Sequence, residues 1–239
     1  MKKLKKNVGV FNKDILANSG YRYTTKAAYS SFVANKRLTD ITISILRNNK
    51  QKSLVDVGCG DGIYTKEIKK QLPKLNISAF DPAAKAIELA RNLYPKIFFF
   101  VGNILDSNLR LDRKYDTAIL RGVLHHLDYP ERAILNTAKI ANKVIIIEPN
   151  GNNPILKIIE KRSRYHIEHE EKSYSAKELK IFCKRANYHI EKVFYVGFVP
   201  FFFPTIPSKI IHFFQPLLEK TPILNRYFAA QIVLVIKKL

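Results

Sequence analysis

The chain contains one glycine-rich stretch, Leu54-Val55-Asp56-Val57-Gly58-Cys59-Gly60-Asp61-Gly62, that sets its architecture. The apolar, partly β-branched residues at its start predict a short strand covered on both faces. Three glycines at alternate positions then allow a tight turn and a close approach of the backbone to a ligand. Apolar residues return at helical spacing from Ile63 onward, so the stretch predicts a strand, a glycine-rich turn and a helix.

This turn differs from the dinucleotide-binding turn, in which G-x-G-x-x-G opens a helix that faces a pyrophosphate. Ile63 occupies the position of the third glycine, and Asp56 and Asp61 bracket the turn. Because two carboxylates at this place would repel a pyrophosphate, the turn favours a ligand with positive groups and hydroxyls. S-adenosylmethionine has this chemistry, since it carries a sulfonium, an ammonium and a ribose but no phosphate.

The run from Asp56 to Gly62 resembles the first motif of class I S-adenosylmethionine-dependent methyltransferases, of the small-molecule, lipid and glycan type (methyltransferase types 11 and 12). The resemblance implies an α/β fold with a Rossmann-like, doubly wound sheet of seven strands, mostly parallel with the last strand antiparallel. It also implies that Asp56, with Gly58, Cys59 and Gly60, holds the methionine part of S-adenosylmethionine.

A second strand is predicted from Asn76 to Asp81, with Pro82 suited to the first turn of the next helix. In doubly wound nucleotide folds, an acid about twenty residues beyond the glycine turn is placed to bind the ribose hydroxyls. Asp81 has this position and matches the second motif of the resembled family. The resemblance implies that Pro82, next to it, also contacts the cofactor. The alternative role of Asp81 is a helix N-cap.

A third strand, Ile97–Val101, leads into Asn103 and Ile104, where the resemblance implies contacts with the adenine. The family usually carries an acid near this position, and Asn103 can accept a hydrogen bond through its side-chain oxygen instead. Asp106 is an alternative. A fourth strand, 116–120, is followed by Arg121 and Val123, which the resemblance places beside the cofactor.

Two adjacent histidines, His125 and His126, follow the fourth strand. Their side chains point in different directions in a helix or in an extended loop, so at most one faces the ligand. We interpret His126 as a candidate general base, needed only if the acceptor must lose a proton.

Strand and helix patterns alternate from the glycine-rich stretch to the apolar strand 143–148, which predicts a parallel sheet with right-handed crossovers. In such sheets the ligand lies outside the carboxyl ends of the strands. Asp56, Asp81, Asn103 and Arg121 all fall at strand ends on that edge. This convergence predicts a ligand site there without reference to any family.

Several residues are predicted to contact the methyl acceptor. Asn150 and Asn153 lie in a loop on the ligand edge, and Tyr21 lies in the N-terminal segment that caps the cofactor pocket in the resembled family. His166 is a further candidate contact, and His169 a second candidate base. These histidines do not follow the H-E-x-x-H order of a zinc helix, so no metal site is predicted.

The length of 239 residues fits one domain. We divide it into an N-terminal helical cap (1–50, with a helix over 34–48), a cofactor-binding core (51–150) and a substrate-side segment with the last strands (151–239). The two cysteines are far apart, which favours a reducing compartment. No apolar core of a signal peptide follows the basic start. These features predict a cytoplasmic protein, with the inner face of the membrane as an alternative location.

The net charge of +21, from 41 basic and 20 acidic residues, favours polyanionic partners such as an anionic membrane surface or nucleic acid. Nucleic acid is the less favoured partner because the lysines are dispersed and form no compact stripe. The segment 200–216 is strongly apolar, but its prolines and Lys209 interrupt a membrane span. It is either a hydrophobic lid or interfacial patch, or a cover packed over the sheet.

Together these features predict a methyltransferase that acts on a small-molecule, glycan or lipid-like acceptor. An RNA methyltransferase is the rival interpretation, motivated by charge. A membrane-surface binding protein that retains the cofactor fold without catalysis is the non-enzymatic one. The sequence does not indicate the oligomeric state.

Overall fold

The computed structural model describes residues 2–18, 20–21, 28–48, 51–109, 111–162, 172–201 and 203–238. The strands are β1 (Ser53–Val57), β2 (Asn76–Asp81), β3 (Phe98–Val101), β4 (Tyr115–Arg121), β5 (Ala141–Pro149), β6 (Tyr188–Val196) and β7 (Gln231–Lys238). The helices are α1 (Lys2–Asn18), α2 (Tyr29–Asn48), α3 (Ile63–Gln71), α4 (Ala84–Leu93), α5 (Pro130–Ile140), α6 (Pro154–Arg162), α7 (Ala176–Arg185), α8 (Thr205–Leu218) and α9 (Pro222–Phe228), with a short 3-10 helix at Leu124–His126.

The seven strands form one sheet in the order β3-β2-β1-β4-β5-β7-β6. β1 to β5 pair in parallel, and β7 runs antiparallel to both β5 and β6. The predicted α/β class, the seven strands and the antiparallel last strand are therefore confirmed. The chain order reverses between β1 and β4, and this switch point is where ligands bind in doubly wound sheets.

The sheet is buried on both faces because its central strands are almost entirely apolar. On one face, Leu38, Ile41 and Ile45 of α2 pack with side chains from β1, β4 and β5. On the other face, Ile134 of α5 and Leu179 of α7 belong to a second apolar cluster over the same strands. Such two-sided burial explains why these strands appear in the sequence as continuous apolar runs without alternation.

The pairing of β7 places the loops and helices of the C-terminal third on the ligand edge. Pro149 at the end of β5 and Val196 at the end of β6 both pair with Gln231 at the start of β7. Hence the carboxyl end of β6 lies on the same edge as the carboxyl ends of β1 to β5. α6 follows β5 and α8 follows β6, so both helices begin at that edge. α9 precedes β7 and ends at the same edge.

Several helices differ from the sequence prediction, α2 and α8 among them. α2 begins at Tyr29, five residues before the predicted start, and α8 forms in the proline-containing segment 200–216. Pro207 lies in the first turn of α8, where its missing N–H costs no intrahelical bond. Pro216 lies inside the last turns of α8. No helix in the described part of the chain is long and apolar enough to span a bilayer.

Candidate active site

The glycine turn after β1 has a backbone that only glycine adopts readily. Gly58 and Gly60 have φ values of 74° and 56°, in the left-handed region. A Cβ on Gly58 would lie 2.6 Å from Cγ2 of Val123, and one on Gly60 would lie 2.5 Å from Cε2 of Tyr21. The turn is therefore enclosed by Val123 on one side and Tyr21 on the other. The amide of Gly58 donates to the carbonyl of Phe80 at 2.8 Å, which ties the turn to β2.

Asp81 joins the end of β2 to this turn. Its Oδ2 accepts a hydrogen bond from the amide of Gly60 at 3.0 Å, and its Oδ1 accepts one from the amide of Ala83 at 2.8 Å. The pKa of Asp81 is raised to about 6, mainly by burial and to a smaller extent by the nearby carboxylates of Asp56 and Asp61, while the two backbone donors lower it. Asp81 thus fixes the turn before α4 and also faces the glycine turn. The N-cap of α4 is Ala83, so the N-cap alternative for Asp81 is wrong, and its contact with the ribose stays a prediction.

Asp56 and Asp61 complete a group of three buried carboxylates around the turn. Asp56 accepts a hydrogen bond from the hydroxyl of Thr65 at 2.6 Å. Burial raises its pKa, which Thr65 and the guanidinium of Arg121 partly offset. Asp61 accepts a hydrogen bond from the amide of Tyr21 at 3.1 Å, which attaches the N-terminal segment to the turn.

Arg121, at the end of β4, connects the sheet edge to α2. Its Nη1 donates to the hydroxyl of Thr39 at 3.0 Å, and its Nη2 donates to Oδ1 of Asn35 at 3.0 Å. The guanidinium carbon lies 3.7 Å from the centre of the Tyr64 ring, a cation–π geometry. These contacts hold α2 over the site. The predicted contact between Arg121 and the cofactor stays a prediction.

Glu148 anchors the segment after β4, a role that the sequence analysis missed. Its carboxylate has no exposed surface. Oε1 accepts hydrogen bonds from the amides of Val123 and Leu124, at 2.9 and 2.7 Å. Oε2 accepts from the amide of His125 at 3.3 Å and lies 2.7 Å from Nδ1 of the same histidine. The available signal was an acid at the end of an otherwise apolar strand.

The two adjacent histidines differ in burial and in partners, but their rings lie side by side and do not point apart as the sequence predicts. His125 is buried and bound to Glu148. His126 is half-buried. Its ring centre lies 3.9 Å from that of His125 and 5.2 Å from that of Phe11, in α1. Its carbonyl accepts a hydrogen bond from Nδ2 of Asn7 at 3.2 Å. The segment that carries the candidate base is therefore in contact with the N-terminal helix.

α1 was not predicted, and it contributes directly to the site. Val8, Phe11 and Ile15 recur at helical spacing, which was the available signal. Phe11 contacts the ring of Tyr21 edge-on, with the ring centres 5.7 Å apart. Tyr21 is buried and lies against Gly60, so the structure brings this candidate substrate contact to the glycine turn.

Asn103, Ile104 and Pro82 lie beside the end of β2. The amide of Gly102 donates to the backbone carbonyl of Asp81 at 3.1 Å, so Asn103 follows directly after a backbone contact with the end of β2. Oδ1 of Asn103 accepts from the amide of Leu105 at 2.9 Å and so shapes the loop after β3. Ile104 is buried and Pro82 is half-buried. Their predicted cofactor contacts remain predictions that this placement allows.

The side chain of Cys59 belongs to the core. It packs with apolar residues of β2, α4 and β3. Burial, with the nearby carboxylates of Asp56 and Asp81, raises the pKa of this thiol well above its usual value. Its amide donates to the carbonyl of Phe80 at 3.1 Å. Any contribution of Cys59 to the ligand site is therefore limited to its backbone.

Asn150 and Asn153 bind the backbone through their side chains, and their predicted contact with the acceptor stays a prediction. Nδ2 of Asn150 donates to the carbonyls of Arg226 and Ala229, both at 3.0 Å. Nδ2 of Asn153 donates to the carbonyls of Phe228 and Ala229, at 3.0 and 3.2 Å. Both amide hydrogens of each side chain are thus directed at backbone carbonyls in the last turn of α9 and at Ala229. These bonds satisfy carbonyls at the end of α9.

His166 and His169 lie outside the described residues, and their predicted roles stay predictions. Among the residues that are described, the structure contains no group of three or more His, Cys, Asp or Glu side chains suited to a metal ion.

Comparison with known proteins places the fold in a family. A family model described as a methyltransferase domain matches residues 29–193. A malonyl-[acyl-carrier protein] O-methyltransferase from Halalkalibacterium halodurans is 27% identical over 108 residues, which are 43% of this chain and 38% of that protein. The chain covers less than half the length of the curated relatives that it matches.

Solved structures share the fold over nearly the whole chain. Magnesium protoporphyrin IX methyltransferase from Synechocystis PCC 6803, with bound SAH, has a TM-score of 0.65 at 13% identity. The superposition covers 97% of this chain and 100% of that one. A SAM-dependent methyltransferase from Thermotoga maritima has a TM-score of 0.65 at 15% identity, with coverages of 97% and 99%. Since the family model extends from the start of α2 into β6, the chain belongs to the methyltransferase-domain family.

Proposed function

We propose that this protein transfers a methyl group from S-adenosylmethionine to a small-molecule, glycan or lipid-like acceptor. The observation that carries this proposal is the group of three buried carboxylates, Asp56, Asp61 and Asp81, around the glycine turn. Burial raises the pKa of Asp56 and of Asp81, which means that their charges are costly in the ligand-free protein. A ligand with positive groups and hydroxyls offsets this cost, whereas a pyrophosphate increases it.

The proposed roles follow the strand ends. Asp81 accepts hydrogen bonds from the ribose hydroxyls, and Asp56 with the backbone of Gly58 and Gly60 holds the methionine part. Asn103 and Ile104 border the adenine. The site is covered by α1 and by Tyr21, which contacts Phe11 and lies against the glycine turn.

When bound, S-adenosylmethionine supplies a methyl group already activated by the sulfonium. The protein's own task is mainly to align the acceptor with that methyl group and to exclude water, which is worth several orders of magnitude in rate. Proton removal, where the acceptor requires it, is assigned to His126 in the segment fixed by Glu148. His169 is the second candidate for this step.

Three observations support the proposed acceptor class. The relatives and neighbours named above act, by their names, on a malonyl-acyl carrier protein and on a porphyrin. The C-terminal third of this chain is rich in exposed apolar residues at the ligand edge. The net charge of +21 favours an anionic partner such as a membrane surface.

The same charge leads us to place the protein in the cytoplasm, at the inner face of the membrane. Two buried cysteines without a disulfide support a reducing compartment.

The first test is calorimetric titration with S-adenosylmethionine of the wild-type protein, Asp81→Asn and, as a matched control, Asp112→Asn at an exposed position. We expect saturable binding that is at least about tenfold weaker in Asp81→Asn, because hydrogen bonds to an ionised group are the stronger ones, and unchanged in the control. Folded wild-type protein that does not bind would overturn the proposal.

The acceptor class needs a separate experiment. The protein is incubated with a cell extract and S-adenosylmethionine labelled in its methyl group, and the extract is then separated into nucleic acid, protein and organic-soluble fractions. We expect label in small or organic-soluble products. Label confined to RNA would keep the cofactor assignment and overturn the acceptor class.

A further inference from the structure

α8 is amphipathic in the reverse sense of an ordinary surface helix. Its two buried residues are polar: Ser208 donates to the carbonyl of Pro204 at 2.7 Å, and Oε1 of Gln215 accepts from the amide of Phe198 at 3.0 Å. Its outward face carries apolar side chains with exposed fractions from 49% to 78%: Ile206, Ile210, Phe213, Phe214 and Leu217. A helix in water normally places its apolar stripe against the core, so this outward face indicates an apolar environment outside the protein.

The neighbouring helices extend this surface. α9 contributes Ile223, Leu224, Tyr227 and Phe228, and α6, which contacts α9, contributes Ile155 and Ile158. No residue of α6 or α9 is itself buried. More than half of the large hydrophobic side chains exposed in the described part of the chain lie on α6, α8 and α9. We call the exposed apolar side chains of these three helices the apolar helix face; large exposed apolar surfaces on a protein in water mark interaction sites.

The charges on these helices have one predominant sign. Exposed basic residues accompany the apolar side chains on all three segments: Lys161, Arg162, Lys209, Lys220 and Arg226. The two acids among them are engaged within the protein. Glu219 accepts hydrogen bonds from Arg37 and from the amide of Gly197, and Glu160 accepts from Lys157 and from the amide of Ser173. The apolar helix face therefore presents cations and apolar side chains together.

The apolar helix face is fixed to the rest of the protein beside the candidate active site. Nε of Arg37 in α2 donates to both carboxylate oxygens of Glu219 after α8, at 3.0 and 3.1 Å. The hydroxyl of Tyr29 lies 2.8 Å from Nδ1 of His212 in α8. α2 is the helix that Arg121 binds from the end of β4. α8 thus shares a supporting helix with the ligand edge of the sheet.

We propose that the apolar helix face docks this protein on the surface of an anionic phospholipid bilayer. Interfacial helices bury an apolar face to the depth of the headgroups and hold basic side chains at the anionic surface. The bilayer provides both environments over a broad area, which matches cations dispersed over three helices. One consequence rests on the proposed methyl transfer: since the apolar helix face lies on the ligand edge, the acceptor is an amphiphile that is methylated while it is held in the membrane.

The test is sedimentation of the full chain with vesicles of phosphatidylcholine alone or mixed with phosphatidylglycerol, without cofactor. We expect binding to the anionic vesicles only. The variant Ile210→Ser/Phe213→Ser/Phe214→Ser should lose at least about tenfold in partitioning, because burial of apolar side chains drives insertion. The variant Lys209→Gln/Lys220→Gln/Arg226→Gln should remove the preference for anionic lipid. A matched control, Leu93→Ser/Leu135→Ser, changes exposed apolar residues elsewhere and should bind as the wild type does.

Circular dichroism and thermal unfolding check that each variant is folded. Because the vesicle experiment needs no cofactor, its failure is distinct from a failure of the proposed methyl transfer. Wild-type protein that ignores anionic vesicles, or a serine variant that binds them as tightly as wild type, would refute the proposal. A wild-type dimer that ignores vesicles and becomes monomeric in the serine variant would refute it too, since a second copy would then cover the face.

Discussion

The carboxylate of Glu148 lies 2.7 Å from Nδ1 of His125 and links the end of β5 to the segment that follows β4. The same carboxylate accepts the amides of Val123 and Leu124. A single buried acid therefore determines the path of the backbone that encloses the glycine turn through Val123. Burying a carboxylate costs free energy, and the hydrogen bonds that Glu148 accepts beside the site offset that cost.

Glu148→Gln is expected to destabilise the protein by about 3 kcal/mol, because the amide cannot accept all the hydrogen bonds that the carboxylate accepts and leaves buried N–H groups unpaired. Urea unfolding at neutral pH measures this loss. The matched control is Glu88→Gln, at an exposed pair with Lys85, where the unfolding midpoint should not change measurably. Equal midpoints for Glu148→Gln and wild type would contradict the anchoring role.

The two histidines are expected to respond differently to substitution. If His126 removes a proton from the acceptor, His126→Gln should lower the methyl-transfer rate by about 100-fold or more. Its affinity for S-adenosylmethionine and its stability should stay close to wild type. His125→Gln should lower the unfolding midpoint, because it disturbs the contact with Glu148.

The measurements for the histidines are kcat for methyl transfer as a function of pH and urea unfolding. A rate loss in His125→Gln at unchanged stability, with normal turnover in His126→Gln, would transfer the base to His125 and its Glu148 partner. The pH profile distinguishes this chemistry from a loss of packing, since only loss of the base removes a titration from the profile.

The fold could be predicted because its causes are local. The run from Leu54 to Gly62 contains the strand, the turn and the helix start in consecutive residues, and the apolar run 143–148 is typical of a strand buried on both faces. The seven strands and the direction of the last one then followed from the family resemblance. The convergence of Asp56 and Asp81 at one edge needed only the rule that parallel strands share a carboxyl end.

What could not be predicted depends on contacts between distant residues. Asn150 and Asn153 were recognised as loop residues, but the carbonyls that they bind belong to residues 226–229 at the end of α9. Glu148 was recognised only as the end of a strand, because its partner His125 precedes it by 23 residues. The reversed polarity of α8 was also hidden, since helical spacing alone does not tell which face of a helix meets the protein.

Gly60→Ala is expected to lower stability and cofactor affinity together. The φ of 56° costs a non-glycine residue about 1–2 kcal/mol. The new Cβ would also meet Cε2 of Tyr21 at 2.5 Å. Tyr21→Ala removes the steric conflict but keeps the backbone strain, so Gly60→Ala should cost less stability in the Tyr21→Ala background than in the wild-type protein.

The control for Gly60→Ala is Gly9→Ala, in α1, where an added Cβ meets nothing within 4 Å. Alanine is the better helix former by up to about 1 kcal/mol, so this control should be neutral or stabilising. Thermal unfolding and calorimetry on the wild type, the two Gly60→Ala proteins, Tyr21→Ala and Gly9→Ala measure both effects. A Gly60→Ala protein as stable as wild type would show that the turn tolerates a side chain and that Tyr21 does not enclose it.

The affinity for S-adenosylmethionine should fall as the pH is lowered through the pKa of Asp81, which burial raises to about 6. The ionised carboxylate accepts hydrogen bonds from hydroxyls more strongly than the protonated one does. At a pH about one unit below the pKa, only about a tenth of Asp81 is ionised. Binding should therefore be roughly tenfold weaker near pH 5 than near pH 7, with proton release on binding below the pKa.

The stability of the ligand-free protein should move in the opposite direction. Because the pKa of Asp81 is higher in the folded protein than its ordinary value, the folded state retains this proton more readily than the unfolded chain does. Its contribution to stability is complete below the ordinary pKa of about 3.9. That contribution is lost as the pH rises through about 6. Asp81→Asn removes the contribution of Asp81 to both pH dependences, while Asp112→Asn should keep both. If affinity does not change between pH 5 and pH 7, or changes equally in Asp81→Asn, then Asp81 is not the titrating group that binds the ribose.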